Sequence, residues 1–204
     1  MTGRRATTAG AALLPLLLFG CSTAMPTGTP GVEQLGAAVL RYRGPELEAV
    51  LGYRFAAANL GEDWLILDLA VTGTTGESVE VHRTDISLLI PGGKEVPLAT
   101  QEEFGREFRR IQPVIRRSAV AADPLDYWSG RAPCEALLFV VPGEGVAFDS
   151  FTVNDRRVCF EKLFFPLPKG VQEGRYVLVM KLPESEVRIP FTLGLAGRGN
   201  PLNR

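Results

Sequence analysis

Trp64-Leu65-Ile66-Leu67-Asp68-Leu69-Ala70-Val71-Thr72, then Gly73-Thr74-Thr75-Gly76-Glu77, then Ser78 to Ile90 is the stretch that decides the fold class. The first run is strongly apolar and of strand length. The glycine and threonine cluster turns the chain. In the third run Val79 and Val81, and later Ile86, Leu88 and Ile90, alternate with polar residues. A period of two predicts a sheet with one wet face. Pro91-Gly92-Gly93-Lys94 is a tight turn into Glu95-Val96-Pro97-Leu98, so the two pieces form a hairpin.

The same grammar continues on both sides. Glu135–Val141, Val146–Val153, Val158–Leu167, Tyr176–Leu182 and Glu186–Leu193 read as strands between Pro, Gly and Asn turns. Residues 123–133 are irregular. Upstream, Glu48–Ala58 reads as a strand, and Val32–Arg41 as either a helix or a first strand. One helix stands out at about 101–112. Phe104, Phe108, Ile111 and Ile115 make one apolar stripe. Thr100 is placed as its N-cap, with Glu103 completing a capping box, and Pro113 should end or kink it. Short strands at regular spacing predict a mostly β fold, an immunoglobulin-like antiparallel β-sandwich with one inserted amphipathic helix. A membrane barrel would need strands of about ten residues with aromatic girdles.

The chain has 204 residues, with 22 Lys and Arg against 23 Asp and Glu, a net charge of -1. That balance excludes a generally basic nucleic-acid binder and a disordered acidic tail. No nucleic-acid partner is expected.

Arg4 and Arg5 precede an apolar run, Ala11 to Phe19, too short to span a membrane. It ends in Leu18-Phe19-Gly20-Cys21. This tetrapeptide resembles the lipobox of bacterial lipoproteins. The resemblance implies a signal peptide over residues 1–20, cleavage before Cys21, and lipidation of Cys21. With Ser22 rather than Asp next, it implies the periplasmic face of the outer membrane in a Gram-negative cell. Residues 21–31 then read as the lipidated cysteine and a flexible tether, 32–193 as the sandwich domain and 194–204 as a tail. The tether, the alternating strand before Pro-Gly-Gly-Lys and the late Leu138-Phe139-Val140-Val141-Pro142 strand resemble lipoproteins with a DUF4352-type immunoglobulin-like domain, over about Leu51 to Leu193. That family is of largely unassigned activity and supplies no catalytic residues.

Catalytic signatures are few. His82 is the only histidine and falls on a strand parity shared with Glu80 and Thr84. No Gly-x-Ser-x-Gly accompanies it, so no triad is expected. One histidine and two separated cysteines make no usual zinc set, and no metal or cofactor is expected. Gly92-Gly93-Lys94 lacks the rest of a phosphate loop and reads as a turn. Cys134 and Cys159 form a disulfide in an oxidising envelope, or stay as two free thiols. A simple meander of the late strands would keep them apart. Arg106, Arg109, Arg110, Arg116 and Arg117 read as a surface for anionic headgroups or an acidic partner, or as a solvated face paired with Glu102, Glu103 and Glu107. Tyr127-Trp128 is a loop pair for binding, or Trp128 plugs the core. These features predict a membrane-anchored, non-enzymatic binding or assembly module with an envelope protein partner. The alternatives are a pilotin-like accessory subunit and a hydrolase with an unfamiliar site. A deep pocket with convergent polar groups would favour a small ligand, and a flat apolar patch a protein partner.

Overall fold

A computed structural model of the chain describes residues 25–194. Residues 1–24, which include the expected signal peptide and Cys21, and residues 195–204 lie outside the described residues. The elements run β1 (Met25–Pro26), β2 (Val32–Gly36), β3 (Val39–Arg43), β4 (Leu47–Gly52), α1 (Arg54–Ala58), β5 (Trp64–Gly73), β6 (Val79–His82), β7 (Ile86–Leu89), β8 (Glu95–Pro97), α2 (Gln101–Ala121), β9 (Ala132–Glu135), β10 (Ser150–Val153), β11 (Arg157–Pro166), β12 (Gly174–Lys181) and β13 (Glu186–Leu193). Seven strands form one sheet in the order β1-β2-β3-β4-β5-β11-β9, four form a second in the order β13-β12-β7-β8, and β10 pairs with β6. The expected β-sandwich with one long amphipathic helix is the architecture observed.

Strand parity explains the layering. Leu65, Leu67, Leu69 and Val71 of β5 face the second sheet and pack with Leu88, Leu178, Met180 and Ile189. Trp64 and Ile66 face the opposite way, under Phe104 and Ile111 of α2. Ala70 faces the same way and meets Val50, Leu125 and Trp128. The large sheet is therefore covered on both faces, and β5 is nearly continuously buried.

Several expectations change in detail. Val32–Arg41 resolves into the β2–β3 hairpin. The strand expected over Glu48–Ala58 stops at Gly52 and becomes α1. Ser78–Ile90 is broken by a single turn at Arg83–Asp85, and its two halves join different sheets. The capping box of Thr100 and Glu103 is present, but α2 continues through Pro113 to Ala121. Pro113 and Arg109, four residues earlier, are both exposed, so water can take the carbonyl that proline leaves without a donor.

Glu135–Val141 is not a strand beyond Glu135. Leu137 sits at φ 55, which breaks the ladder. Side chains then take over the segment's backbone groups. The Leu138 N–H donates to Glu161 (2.6 Å), and Arg83 donates to the Leu138 carbonyl. Gln101 holds both backbone groups of Val140, at 2.7 and 3.1 Å. The backbone groups of Leu138 and Val140 are thus served by side chains in place of a neighbouring strand. The late strands are not a meander either. β9 runs parallel to β11, which places Cys134 opposite Cys159. The two are joined by a disulfide, with their Cα atoms 4.4 Å apart.

Candidate functional site

The outer face of the large sheet carries an open groove of about 500 Å³. Its floor is Asp68 of β5 with Phe160, Lys162 and Phe164 of β11. Ile115, Ala119 and Ala122 wall it on the helix side, and Leu137, Phe139 and Val141 on the other. It exists because α2 ends at Ala121 and the chain turns away through Asp123 to Leu125. The sheet between the two outer clusters is left with a polar residue, Asp68.

Register places the charges. Lys162 lies opposite Asp68 across the β5–β11 ladder, and its Nζ pairs with the carboxylate. Burial is the main cause that raises the Asp68 carboxyl above its ordinary value. Lys162 opposes the rise and Asp123 adds to it. Asp123 accepts from Arg54 Nε and Nη2, at 2.8 and 2.6 Å, both at Oδ1. Its Oδ2 is buried without a hydrogen-bond partner. An orphaned acceptor of this kind costs about 1–3 kcal/mol. Burial pushes the Glu161 carboxyl up to about 7, against the N–H groups of Leu138 and Lys162 and the charge of Arg83, while Glu135 adds to the rise. Arg83 is itself buried, bonded to the carbonyls of Ala99 (3.1 Å) and Phe148 (3.0 Å), and its guanidinium lies 4.8 Å from the Phe139 ring centroid. It fixes the wall that Leu137 and Phe139 present.

No family model matches the chain, and no curated protein or solved structure does. The groove is read from its own chemistry.

The structure places the sequence-predicted residues elsewhere. Arg106 pairs with Glu102 (3.8 Å), Arg110 with Glu107 (2.7 Å) and Asp63 (2.8 Å), and Arg117 with Glu62 (2.5 Å). Arg109 and Arg116 are exposed and make no ion pair among the described residues. The basic segment is mostly a solvated, paired helix face. Trp128 is buried and donates from Nε1 to Glu48 (3.1 Å), so it plugs the outer core, while Tyr127 alone is exposed. His82 is exposed on β6, 3.7 Å from Glu80. Gly92 and Gly93 take positive φ in the hairpin turn.

The groove's polar residues were missed at the level of sequence. Asp68, Asp123, Glu135 and Glu161 come from four separate places and converge around one volume. The available signal was local. Asp68 interrupts an apolar strand, and Glu161-Lys162 interrupts another. A second hollow, of about 660 Å³, lies between the β7–β8 turn and residues 166–172. Its charges, Lys94 and Lys169 against Glu95 and Glu103, balance at the surface. Unlike this hollow, the groove combines partly buried carboxylates with aromatic walls.

Proposed function

We propose that the chain is a membrane-anchored lipoprotein of a bacterial envelope, whose sandwich domain is a non-enzymatic binding module that takes its ligand in this groove. The observation that carries the binding role is the groove itself, an apolar volume with a few converging polar groups. The anchor rests on Leu18-Phe19-Gly20-Cys21, and three acyl chains on Cys21 would hold the domain firmly. The Cys134–Cys159 bridge suits an oxidising compartment. The non-enzymatic reading rests on the sequence, in which no nucleophile-and-base signature accompanies His82. A second reading, an accessory subunit docked on a larger complex, draws on Val146 and Phe148, large apolar side chains exposed by 73% and 53% on the loop before β10.

Two variants test the proposal. Cys21→Ser should release the protein from the membrane fraction, and unchanged membrane association would refute the anchor. Ala119→Trp places a large ring over the groove from an exposed position on α2. Native mass spectrometry of protein isolated from its own membrane should show a bound species on the wild type and lose it on this variant. An equal load on both would refute the site.

A further inference from the structure

On the reading that the groove is the binding site, its lining also states the charge of its occupant. We propose that the groove binds a small amphiphilic amine, an alkyl or aryl body carrying one ammonium group. The body is called for by Phe104, Phe139, Phe160 and Phe164, with Leu125 and Leu137. Phe104, Phe139 and Phe164 already touch one another, with ring centroids 4.8–5.2 Å apart, and form a rigid apolar wall.

The sign follows from a count of charges along the groove. Of the four carboxyl groups in the lining, Asp68 pairs with Lys162 and Asp123 with Arg54, Glu161 lies beside the charge of Arg83 and accepts from two backbone N–H groups, and Glu135 has no ion-pair partner among the described residues. Lys162 is committed to Asp68. Arg54 reaches Asp123 from an exposed position and engages Oδ1 only. The other carboxylate oxygen has no donor. An anionic headgroup would have to break the Asp68–Lys162 pair and face the open Oδ2 of Asp123 and the unpaired carboxylate of Glu135. A neutral ligand would leave Asp123 as it is. An ammonium brings three donors and no acceptor, and it is also attracted to aromatic faces. The volume lies in the range of small-ligand sites.

The test is calorimetric titration of the full chain in a neutral maltoside detergent at low salt, where charge selectivity is least screened. Four probes are compared: phenylbutylamine, phenylbutanol, phenylbutyrate and a peptide of alternating leucine and lysine. The amine should bind about tenfold tighter than the alcohol, and the acid weaker than the alcohol. Asp123→Asn should cut the preference for amine over alcohol by about three- to tenfold and leave the alcohol within about twofold. Glu135→Gln, at an exposed strand position that cannot disturb the core, should cut the same preference in the same direction. Equal affinity for amine and alcohol, or tightest binding of the acid, would overturn the amine and leave the groove as a binding site. Binding of the peptide alone would overturn the small ligand. No binding of any probe above a detergent blank would overturn the groove reading together with the amine.

Discussion

Glu161 makes the stability of the domain depend on pH in an unusual direction. Its carboxyl sits near 7 in the folded protein, raised from an ordinary 4.5. Between those two values the folded state holds a proton that the unfolded state has released. Stability therefore falls as pH rises through this window and levels off above about 7. The full shift corresponds to roughly 3 kcal/mol at about 1.4 kcal/mol per pH unit. Other groups titrate in the same range, so the clean quantity is a difference between two proteins. Glu161→Gln keeps the shape, removes the titration and leaves one of the N–H groups of Leu138 and Lys162 without its acceptor. Urea unfolding of both proteins, disulfide intact, at pH 5, 6, 7 and 8 gives the stability gap at each pH. From pH 5 to 8 the wild type should lose about 2–3 kcal/mol relative to the variant, most of the full shift. Parallel profiles, with the gap changing by less than about 1 kcal/mol, would refute the claim that burial raises the Glu161 carboxyl in the folded protein.

The bridge between β9 and β11 closes a segment of 25 residues, so Cys134→Ala with Cys159→Ala should lower stability by about 3 kcal/mol, read by urea unfolding. Intact mass with and without reductant should differ by two hydrogens. Pro113→Ala restores an N–H inside α2 and should raise stability by about 1–3 kcal/mol, and an unchanged melting temperature would count against a proline penalty in this helix. Trp128→Phe keeps the ring in the outer core but removes the donor to Glu48, and should cost about 1 kcal/mol in the same assay.

What was legible in the sequence was local and periodic. The apolar run of β5, the hairpin of β7 and β8 around Gly92 and Gly93, and the Thr100–Glu103 start of α2 each follow from residues within a few positions of one another. What was illegible depended on partners far along the chain. The run from Glu135 to Val141 has strand composition, but a buried arginine, a glutamate and a glutamine from three other elements satisfy its backbone instead. Pro113 stops no helix, because its turn faces water, and nothing in its immediate sequence shows that. The parallel pairing of β9 with β11 depends on where β10 goes, and β10 joins β6. The groove belongs to this second kind. Asp68 and Lys162 are 94 positions apart, and only the register of β5 on β11 makes them one pair. The basic helix and the Tyr127-Trp128 pair were conspicuous in sequence for the same local reason, and tertiary pairing and burial account for most of both.

The central claim is that the groove over Asp68 and Lys162 is a binding site. The most direct measurement is an experimental structure of the anchored protein as isolated from its own envelope, with no ligand added. The account predicts a bound molecule between the α2 wall at Ala119 and the opposite wall at Phe139, with a polar end toward Asp123. A groove closed by α2 lying against Phe160 and Phe164, with no room left between the walls, would contradict it.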